Sequence, residues 1–551
     1  MKKWLLLLLA AVVVTAVFLF CNHDGVQPAA VPPSATSTPV STNAVTPSGP
    51  VVRVHFAGAD FISSDTNSLA FTNEFTSLEA RALESQTLDK LSRAPGVWFK
   101  KLLPSGAGGG SAQLRPLLDD FLKSEWVFEM HDAPASPEYA LAIRLNDARA
   151  QLWQTNLRSL LESWTKINAR DITNGWELKK DMPPNLFRIV RAGDWLVLGC
   201  GQDELPWSDH WCQPGGMPQR DTNWLSADLD WPRLGQLFPV LAKFDFPVIH
   251  MQVNGRFGDL QATGTLDLSK PLSPLDKWQI PSEIIHQPIT SFTAARGFAP
   301  WLTNQSWAEP LEITPQPGQL FTWSLPMPLQ TFIAVPVQDA ANALAQLGQS
   351  LAVHTNWQSR LGPLFHMDIT SNQISLRGTP FIAPQIQALH EPSGDYLFGN
   401  VFPNTMRGKG LPENLSKELE RDNLVYYHWE ITSMRLKALP QLTQLGLMLT
   451  RHRQLQGDSV AGKWLDRFGP ALSPSVTEVI QTGPQELSFL RSAQGGLTAV
   501  ELIALANWLE APNFPGCDLN LPPPRLLIGH RPMKKLSAPL PLPAPAPSAP
   551  Y

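Results

Sequence analysis

The sequence has little cysteine, little charge imbalance and little continuous apolar sequence, and each shortage excludes a class of protein. Only 4 of the 551 residues are cysteine, too few for a disulfide scaffold or several zinc sites. The formal net charge is −5, so we expect no nucleic-acid partner. After Phe20 no segment reaches the ~18 consecutive apolar residues of a membrane helix, so we expect one span at most.

The usual signatures of catalysis and metal binding are also missing. The 12 histidines include no His-x-x-x-His pair and no His-Glu-x-x-His sequence. Ser163-Trp-Thr-Lys166 has the Ser-x-x-Lys spacing of penicillin-recognising enzymes, but it lies at the end of a helical stripe and no Lys-Thr-Gly accompanies it. We therefore predict no catalytic residue, no metal and no cofactor, and we favour a protein that is not an enzyme.

What the sequence does contain is a globular composition with an excess of proline. It is 43% hydrophobic and 17% charged, with 52 Pro and 19 Trp. Proline at nearly twice the usual ~5% argues against long uninterrupted helical bundles. We expect most tryptophans to be core residues; the alternative is that they line an apolar groove or a carbohydrate platform.

The N-terminus carries the clearest signal. Lys2 and Lys3 precede residues 4–20, an apolar run in which only Thr15 is polar and which would span about 25 Å as a helix. Three interpretations remain open: an uncleaved anchor, a cleaved signal peptide, and a lipoprotein acylated at Cys21. The bulky Phe20 before Cys21 disfavours lipidation, and the anchor needs neither a cleavage site nor an acylated residue.

All three interpretations export the rest of the chain, because the lysines of residues 1–3 hold the N-terminus inside. We therefore predict a single span in a bacterial-type inner membrane, with the body in the periplasm or outside. Residues 21–50, rich in Pro, Ser, Thr and Ala, are predicted to form an extended tether. Residues 521–551 are predicted to form a disordered, Pro-rich tail.

The body between these ends contains pairs of segments that resemble each other in sequence. Three segments match in the same order: residues 141–154 with 333–346, 193–196 with 394–397, and 225–237 with 427–439. The offsets are 192, 201 and 202, which indicates two halves of about 200 residues.

Each half is predicted to run strand–helix, more strands, strand–helix, hairpin. This pattern predicts an α+β fold of two tandem repeats, with mainly antiparallel sheets and helices packed on them. The hairpins are predicted around Asn254-Gly255 and Thr482-Gly483, and Pro336 suggests an edge strand. The predicted divisions of the body are an N-terminal segment 51–137, a first repeat 138–269, a Pro/Trp-rich irregular connection 270–327, and a second repeat 328–520.

The residues that we single out are structural. Five are predicted helix caps, because a short polar side chain precedes a helical pattern: Asp147, Asp339, Asp230, Thr432 and Thr498. The equivalent placement of Asp147 and Asp339 also allows an acid/base or ligand pair, which we consider the weaker interpretation. Cys200 and Cys212 could form a disulfide in an exported protein; alternatively Cys200 is a small core residue of its strand.

Residues 203–212 of a Trp-rich loop include acids, a histidine and a cysteine that could hold a cation, although a polar loop is the stronger interpretation. From the sequence we expect a membrane-tethered envelope protein that binds or scaffolds something, with an apolar or polymeric ligand and an envelope protein, lipid or glycan as partner. The alternatives are an envelope hydrolase with dispersed catalytic residues and a structural subunit of an envelope assembly.

Overall fold

A computed structural model describes residues 49–516. The gaps are 69–75, 99–109, 133–135, 182–184, 218–220, 240, 245, 273, 303–312, 328–329, 354–365, 378–382, 403–409, 439–457 and 513. The predicted anchor 4–20, most of the tether, the tail 521–551, Cys21 and Cys517 lie outside the described residues. Of the helices in the described part of the chain, none combines the length and apolar character needed to cross a bilayer.

The described residues form a mixed α/β protein with one large antiparallel sheet, which confirms the expected combination of antiparallel strands and helices. The strands are β1 Val52–Phe56, β2 Trp126–His131, β3 Glu138–Arg144, β4 Arg170–Ile172, β5 Gly175–Lys179, β6 Leu186–Ala192, β7 Trp195–Gly201, β8 Leu225–Asp230, β9 Val248–Arg256, β10 Asp259–Asp267, β11 Ser291–Arg296, β12 Gln319–Ser324, β13 Thr331–Val337, β14 His366–Ile369, β15 Gln373–Arg377, β16 Gln385–Glu391, β17 Gly394–Asn400, β18 Leu424–Glu430, β19 Ser475–Gln481 and β20 Glu486–Ala493.

Helices cover parts of both faces of this sheet. They are α1 Ala59–Ser64, α2 Leu78–Trp98, α3 Ser111–Lys123, α4 Asp147–Thr165, α5 Pro206–Trp211, α6 Trp231–Leu237, α7 Ala299–Leu302, α8 Ala340–Val353, α9 Glu413–Leu419, α10 Val460–Phe468 and α11 Ala499–Glu510, and residues 432–438 are also helical. Short 3₁₀ turns lie at Thr66–Ser68, Leu241–Phe244 and Gly469–Ala471.

The two halves of the sheet have the same strand order. In the first half the neighbours run β4-β5-β6-β7-β3-β2-β1-β8-β9-β10, all antiparallel. In the second half they run β14-β15-β16-β17-β13-β12-β11-β18-β19-β20, again all antiparallel. The halves meet edge to edge, because β10 pairs with β20.

This junction is symmetric at the level of single residues. One row of directly opposed residues crosses both halves and reads Val127, His55, Ser226, Gln252, Thr263, Leu490, Glu478, Tyr427, Ala294, Phe321. The strands are met in the order β2, β1, β8, β9, β10 and then, in reverse, β20, β19, β18, β11, β12. Thr263 and Leu490 are therefore equivalent positions that pair with each other, and the junction is related by an approximate two-fold axis between them.

The row corrects three sequence interpretations. Ser226 matches Tyr427, so the third sequence match is one residue out of register. Segment 51–137 does more than pack on the first half, because β1 and β2 lie inside the sheet of that half, and the connection 270–327, expected to be irregular, contains β11 and β12. Pro336 is not on an edge strand: β13 lies between β12 and β17, and Pro336 is tolerated because the pairing with β12 ends at Ala334.

The two halves bury opposite faces of the continuous sheet. In the first half Val54, Phe128 and Ala227 share a face and belong to the largest core cluster, which also includes α10 and α11 residues such as Trp464 and Leu502. In the second half the apolar face is the other one. It carries Phe292, Ala294, Phe321, Trp323 and Tyr427, which pack against Leu415 and Leu419 of α9.

The β9–β10 hairpin turns three residues later than the sequence indicates. Its turn is Phe257-Gly258, both with positive φ, whereas Asn254 and Gly255 lie within β9. Gly255 is required there for a different reason, because a Cβ atom at this position would lie 1.8 Å from the Trp224 ring. The second hairpin turns at residues 482–485, as predicted.

We predict that Gly255→Ala destabilises the protein by about 1–3 kcal/mol, because the added methyl overpacks against buried Trp224. The control is Gly318→Ala, where nothing lies within 4 Å of the added atom, and which should change stability by less than about 0.5 kcal/mol. Denaturant unfolding monitored by tryptophan fluorescence measures both. Equal effects of the two substitutions would contradict close packing at Gly255.

Candidate functional site

The predicted caps are at or next to helix starts. Asp339 accepts the Asn342 N–H at 3.0 Å, Asp230 accepts the Arg233 N–H at 3.1 Å, and Thr498 forms a reciprocal capping box with Glu501. Two positions differ. The cap of α4 is Asn146, one residue before Asp147.

Thr432 is not the cap of the helical residues 432–438. It is the first helical residue, and its hydroxyl donates to Ser475 Oγ at 3.3 Å. The reason is the one-residue register error, since Asp230 corresponds to Ile431. The geometry does not support an acid/base or ligand pair of Asp147 and Asp339. Asp147 is fully exposed beside Arg191, and Asp339 caps α8.

The possible disulfide between Cys200 and Cys212 is not formed in the structure. Cys200 is a half-buried residue of β7 opposite Tyr139 and Phe187. It packs against the largest core cluster, in line with the alternative in which Cys200 is a small core residue of its strand. Ser163 lies in the last turn of α4, and Lys166 is the left-handed residue that ends it, so the Ser-x-x-Lys match has no catalytic geometry.

A cavity of about 540 Å³ opens on the first half, on the sheet face opposite its core. Its residues come from four adjacent strands, β1, β8, β9 and β10, and from the loop before β8: Arg53, His55, Asp221, Ser226, Asp228, His250, Met251, Gln252, Thr263, Gly264 and Thr265. Most are ionic or carry a hydroxyl or amide group. The arrangement arises from strand alternation, because every second residue of VRVHF in β1 points away from the core.

One cross-strand row, three of whose four residues line the cavity, alternates between acidic and basic side chains. Glu129, Arg53, Asp228 and His250 are directly opposed on β2, β1, β8 and β9. Arg53 Nε lies 3.5 Å from Glu129 Oε1, and His250 Nδ1 lies 2.7 Å from Asp228 Oδ1. Arg53 and His250 are thus each held by a carboxylate on a neighbouring strand.

His55, in the next row, is almost completely buried. Its Nε2 lies 3.2 Å from Glu125 Oε1, and Arg144 contacts the other oxygen of Glu125 at 3.4 Å. Its Nδ1 has no hydrogen-bond partner among the described residues; the nearest acceptor is Asp221 Oδ2 at 4.0 Å. A buried imidazole between two carboxylates is an unusual feature in a sheet face that has no catalytic or metal-binding signature in the sequence.

Asp221, which lines the cavity, and Glu138, at the start of β3, have shifted pKa values. Burial alone would raise the pKa of Asp221, but hydrogen bonds from Asn223 and Ser226 and the nearby His55 outweigh it and lower the pKa. Burial raises the pKa of Glu138, although that carboxylate accepts the backbone N–H groups of Ser208 and Trp207. The environment therefore favours the ionised form of Asp221 and the protonated form of Glu138.

The polar side chains are not a requirement of the fold. At the equivalent positions of the second half, Arg53, His55, Glu129 and His131 correspond to Phe292, Ala294, Trp323 and Leu325, all buried in an apolar core. The same strand order therefore folds with an apolar face at these positions. This asymmetry identifies the cavity as the candidate functional site.

The polar face of the second half is explained by packing instead. Glu430 is 1% exposed and accepts the Ala499 N–H at 2.7 Å, at the first residue of α11. Arg491 contacts Glu501 at 3.0 Å in the first turn of the same helix. Helix α11 thus occupies this face, and no comparable helix stands over the cavity in the described part of the first half.

A second cavity, of about 670 Å³, lies between α4 and the β4–β5 hairpin. Its charged residues are already paired, because Arg158 contacts Glu162 at 3.1 Å and Asp171 at 2.5 Å. Trp176, its aromatic residue, is buried and donates its Nε1–H to Gln154 O. No ionic group there lacks a partner, so this cavity is the weaker candidate.

The described residues contain no group of three or more His, Cys, Asp or Glu side chains placed to hold a metal ion, including those of the loop 203–212. In that loop Asp209 pairs with Arg188 and Asp203 with Lys179. Comparisons of the chain with protein-family models, with curated proteins and with solved structures gave no match.

Sequence reasoning missed the cavity. Its residues are spread singly or in short groups over five strand and loop segments, and they form no local sequence motif. The available signal was the alternation of β1, whose outward residues Arg53 and His55 are ionisable in a strand that the repeat places at the centre of its half.

We predict opposite pH effects for two substitutions. Asp221→Asn should lower stability at about pH 7 by about 1 kcal/mol, since a hydrogen-bonded carboxylate is lost at a partly exposed site. Because the folded pKa of Asp221 is lowered, this difference should persist down to its ordinary value of 3.8 and disappear below it.

Glu138→Gln should be at least as stable as the wild type at about pH 7, since the folded pKa of Glu138 is raised. The wild type should gain relative to this variant as the pH falls through the folded pKa towards the ordinary value of 4.5. Denaturant midpoints measured between about pH 7 and pH 3.5 test both. Parallel pH profiles for the two variants would contradict the assignment.

Proposed function

We propose that this chain is a membrane-tethered, exported binding protein whose body is an internally duplicated α+β unit and whose ligand site is the polar cavity of the first half. The ligand is a polar small molecule or a polar part of an envelope polymer, rather than an apolar one. The main support is the asymmetry between the halves. The open sheet face of the first half has ionic side chains, whereas the equivalent face of the second half is an aromatic core.

The tether and the duplication rest on separate support. The apolar run 4–20 behind Lys2 and Lys3 supports anchoring and export, and the Pro-rich residues after it support a spacer between membrane and body. The identical strand order of the halves and the symmetric row through Thr263 and Leu490 support a duplication. Binding fits a cavity whose volume lies in the usual range of about 300–1,000 Å³ for small-molecule sites.

The size and polarity of the cavity give a direct test. Thr263→Trp fills the cavity from β10, whereas Gln261→Trp places the same side chain two residues away on the same face, outside the cavity lining. We expect a ligand found by thermal-shift screening of polar envelope compounds to stabilise the full-length wild type and Gln261→Trp by about 2.7 kcal/mol at a hundredfold Kd. Thr263→Trp should lose this stabilisation.

The protein is used as extracted from the membrane fraction, where the proposal locates it. Equal stabilisation of Thr263→Trp would show that the ligand binds elsewhere. A screen of polar compounds in which none stabilises the wild type would count against binding as the function.

A hydrolase is the second candidate, and one observation favours it. His250 lines the cavity and is held through Nδ1 by Asp228 at 2.7 Å, while its Nε2 lies 3.7 Å from Asp267. A carboxylate on Nδ1 fixes the tautomer in which Nε2 accepts a proton, so His250 could act as a general base on a water molecule. Thr265, directly opposite on β10, supplies a hydroxyl group beside it.

If the cavity hydrolyses its ligand, His250→Gln should lower turnover by about 10²–10⁴-fold while affinity changes less. The chain offers a matched control: His390 also binds a carboxylate through Nδ1, with Asp395 at 2.7 Å, but is not part of the cavity. His390→Gln should leave turnover unchanged. Turnover followed by NMR on the purified full-length protein measures both, and equal losses would remove His250 from this role.

A further inference from the structure

The centre of the charged row contains a pair of opposite charges that do not contact each other. Arg53 and Asp228 are directly opposed on β1 and β8, a position where side chains of opposite charge normally interact. Instead Arg53 reaches Glu129 on one side and Asp228 reaches His250 on the other. In the described part of the chain, no ion pair within 4.0 Å joins the Arg53 guanidinium to the Asp228 carboxylate.

Both side chains keep bonding capacity directed at the cavity. Arg53 contacts Glu129 through Nε, and its two terminal nitrogens donate no hydrogen bond to a described residue. Asp228 uses Oδ1 for His250, and its Oδ2 accepts no bond from the described residues. Both residues line the cavity. A guanidinium and a carboxylate therefore face the same space from adjacent strands.

We propose that the cavity binds a small zwitterion, with the carboxylate of the ligand on Arg53 and its ammonium group on Asp228. The proposal rests on the function given above and specifies its ligand class. A ligand with one charge would be attracted by one of these two side chains and repelled by the other, whereas a zwitterion is attracted by both. Planar guanidinium groups bind carboxylates through two parallel hydrogen bonds, which Arg53 has the free donors to make.

The surroundings fit the two ends of such a ligand. Asp267 lies 3.7 Å from His250 Nε2 and adds negative charge on the β9–β10 side, where the ammonium group would lie. On the β1 side, His55 has an unpartnered Nδ1. Gln252 and Thr265 offer an amide and a hydroxyl group for the polar atoms that join the two charged groups of the ligand.

Isothermal titration of the full-length protein in detergent tests the charge requirement. The probes are the dipeptide Ala-Ala, N-acetyl-Ala-Ala, which lacks the cation, and Ala-Ala amide, which lacks the anion. We expect Ala-Ala to bind and each modified peptide to bind at least about tenfold more weakly, because a hydrogen-bonded charge pair contributes about 1.5–3 kcal/mol.

Two substitutions test which residue binds which charged group of the ligand. In Arg53→Gln, Ala-Ala and its amide should bind equally, because the carboxylate has lost its partner. In Asp228→Asn, Ala-Ala and the acetylated peptide should bind equally. The controls are Arg170→Gln and Asp147→Asn, exposed charges outside the cavity, which should leave all three affinities unchanged within twofold.

The result that overturns this inference is distinguishable from the failure of the proposed function. If Ala-Ala does not bind, or if the modified peptides bind as well as it does, the zwitterion is wrong. The binding function still stands if another polar ligand stabilises the wild type and not Thr263→Trp. Preservation of the charge preference in both Arg53→Gln and Asp228→Asn would also overturn the assignment, since the charges would then be read elsewhere.

Discussion

The pairing of β10 with β20 is the interaction on which the rest of the structure depends. It joins two sheets of identical strand order into one, and it does so through equivalent residues, Thr263 and Leu490. Because side chains alternate between faces with a period of two residues, the register at this junction fixes which residues of each half share a face. A slip of one residue there would place Arg53 and His55 on the same side of the continuous sheet as Glu430 and α11 instead of the side of Phe292 and Ala294.

Within that constraint the two halves bury opposite faces of the sheet. The first buries the face of Val54 and Phe128 beneath helices that include α10 and α11 of the second half. The second buries the face of Phe292 and Trp323 beneath α9 and the segment before β11. Each half consequently has one polar face. In the second half α11 stands on it through Glu430, whereas in the first it remains a cavity.

The sequence predicts the fold better than the site, and the reasons are physical. The antiparallel strands, the helices and the capping box at Thr498 follow from patterns over two to four neighbouring residues. The equal strand order of the two halves agrees with sequence matches about 200 residues apart. Errors occurred where local chemistry has two explanations. Asn254-Gly255 is a frequent turn pair, but Gly255 is there for the Trp224 ring, and Pro336 is an interior strand residue because its neighbour strand has already ended.

The cavity could not be predicted, since it depends on register between strands up to about 200 residues apart in the chain. Arg53 meets Glu129 on one side and Asp228 on the other only after β1 is inserted between β2 and β8. The sequence predicts a strand at residues 52–56 in an N-terminal segment that packs on the first half, but it does not indicate that this strand pairs between β2 and β8. The one-residue error in the third repeat match then misassigned Thr432.

The comparison of the halves also bears on why the ionic residues are present. Burying a charge is costly even when it is paired, and apolar side chains of similar volume are often as stable or more stable in such positions. The second half demonstrates that the strand order accepts Phe292, Ala294 and Trp323 at the positions of Arg53, His55 and Glu129. Stability alone therefore gives no reason for a buried His55 between Glu125 and Asp221, with an unpartnered ring nitrogen. A role that requires charge at this face, such as holding a ligand, does give one.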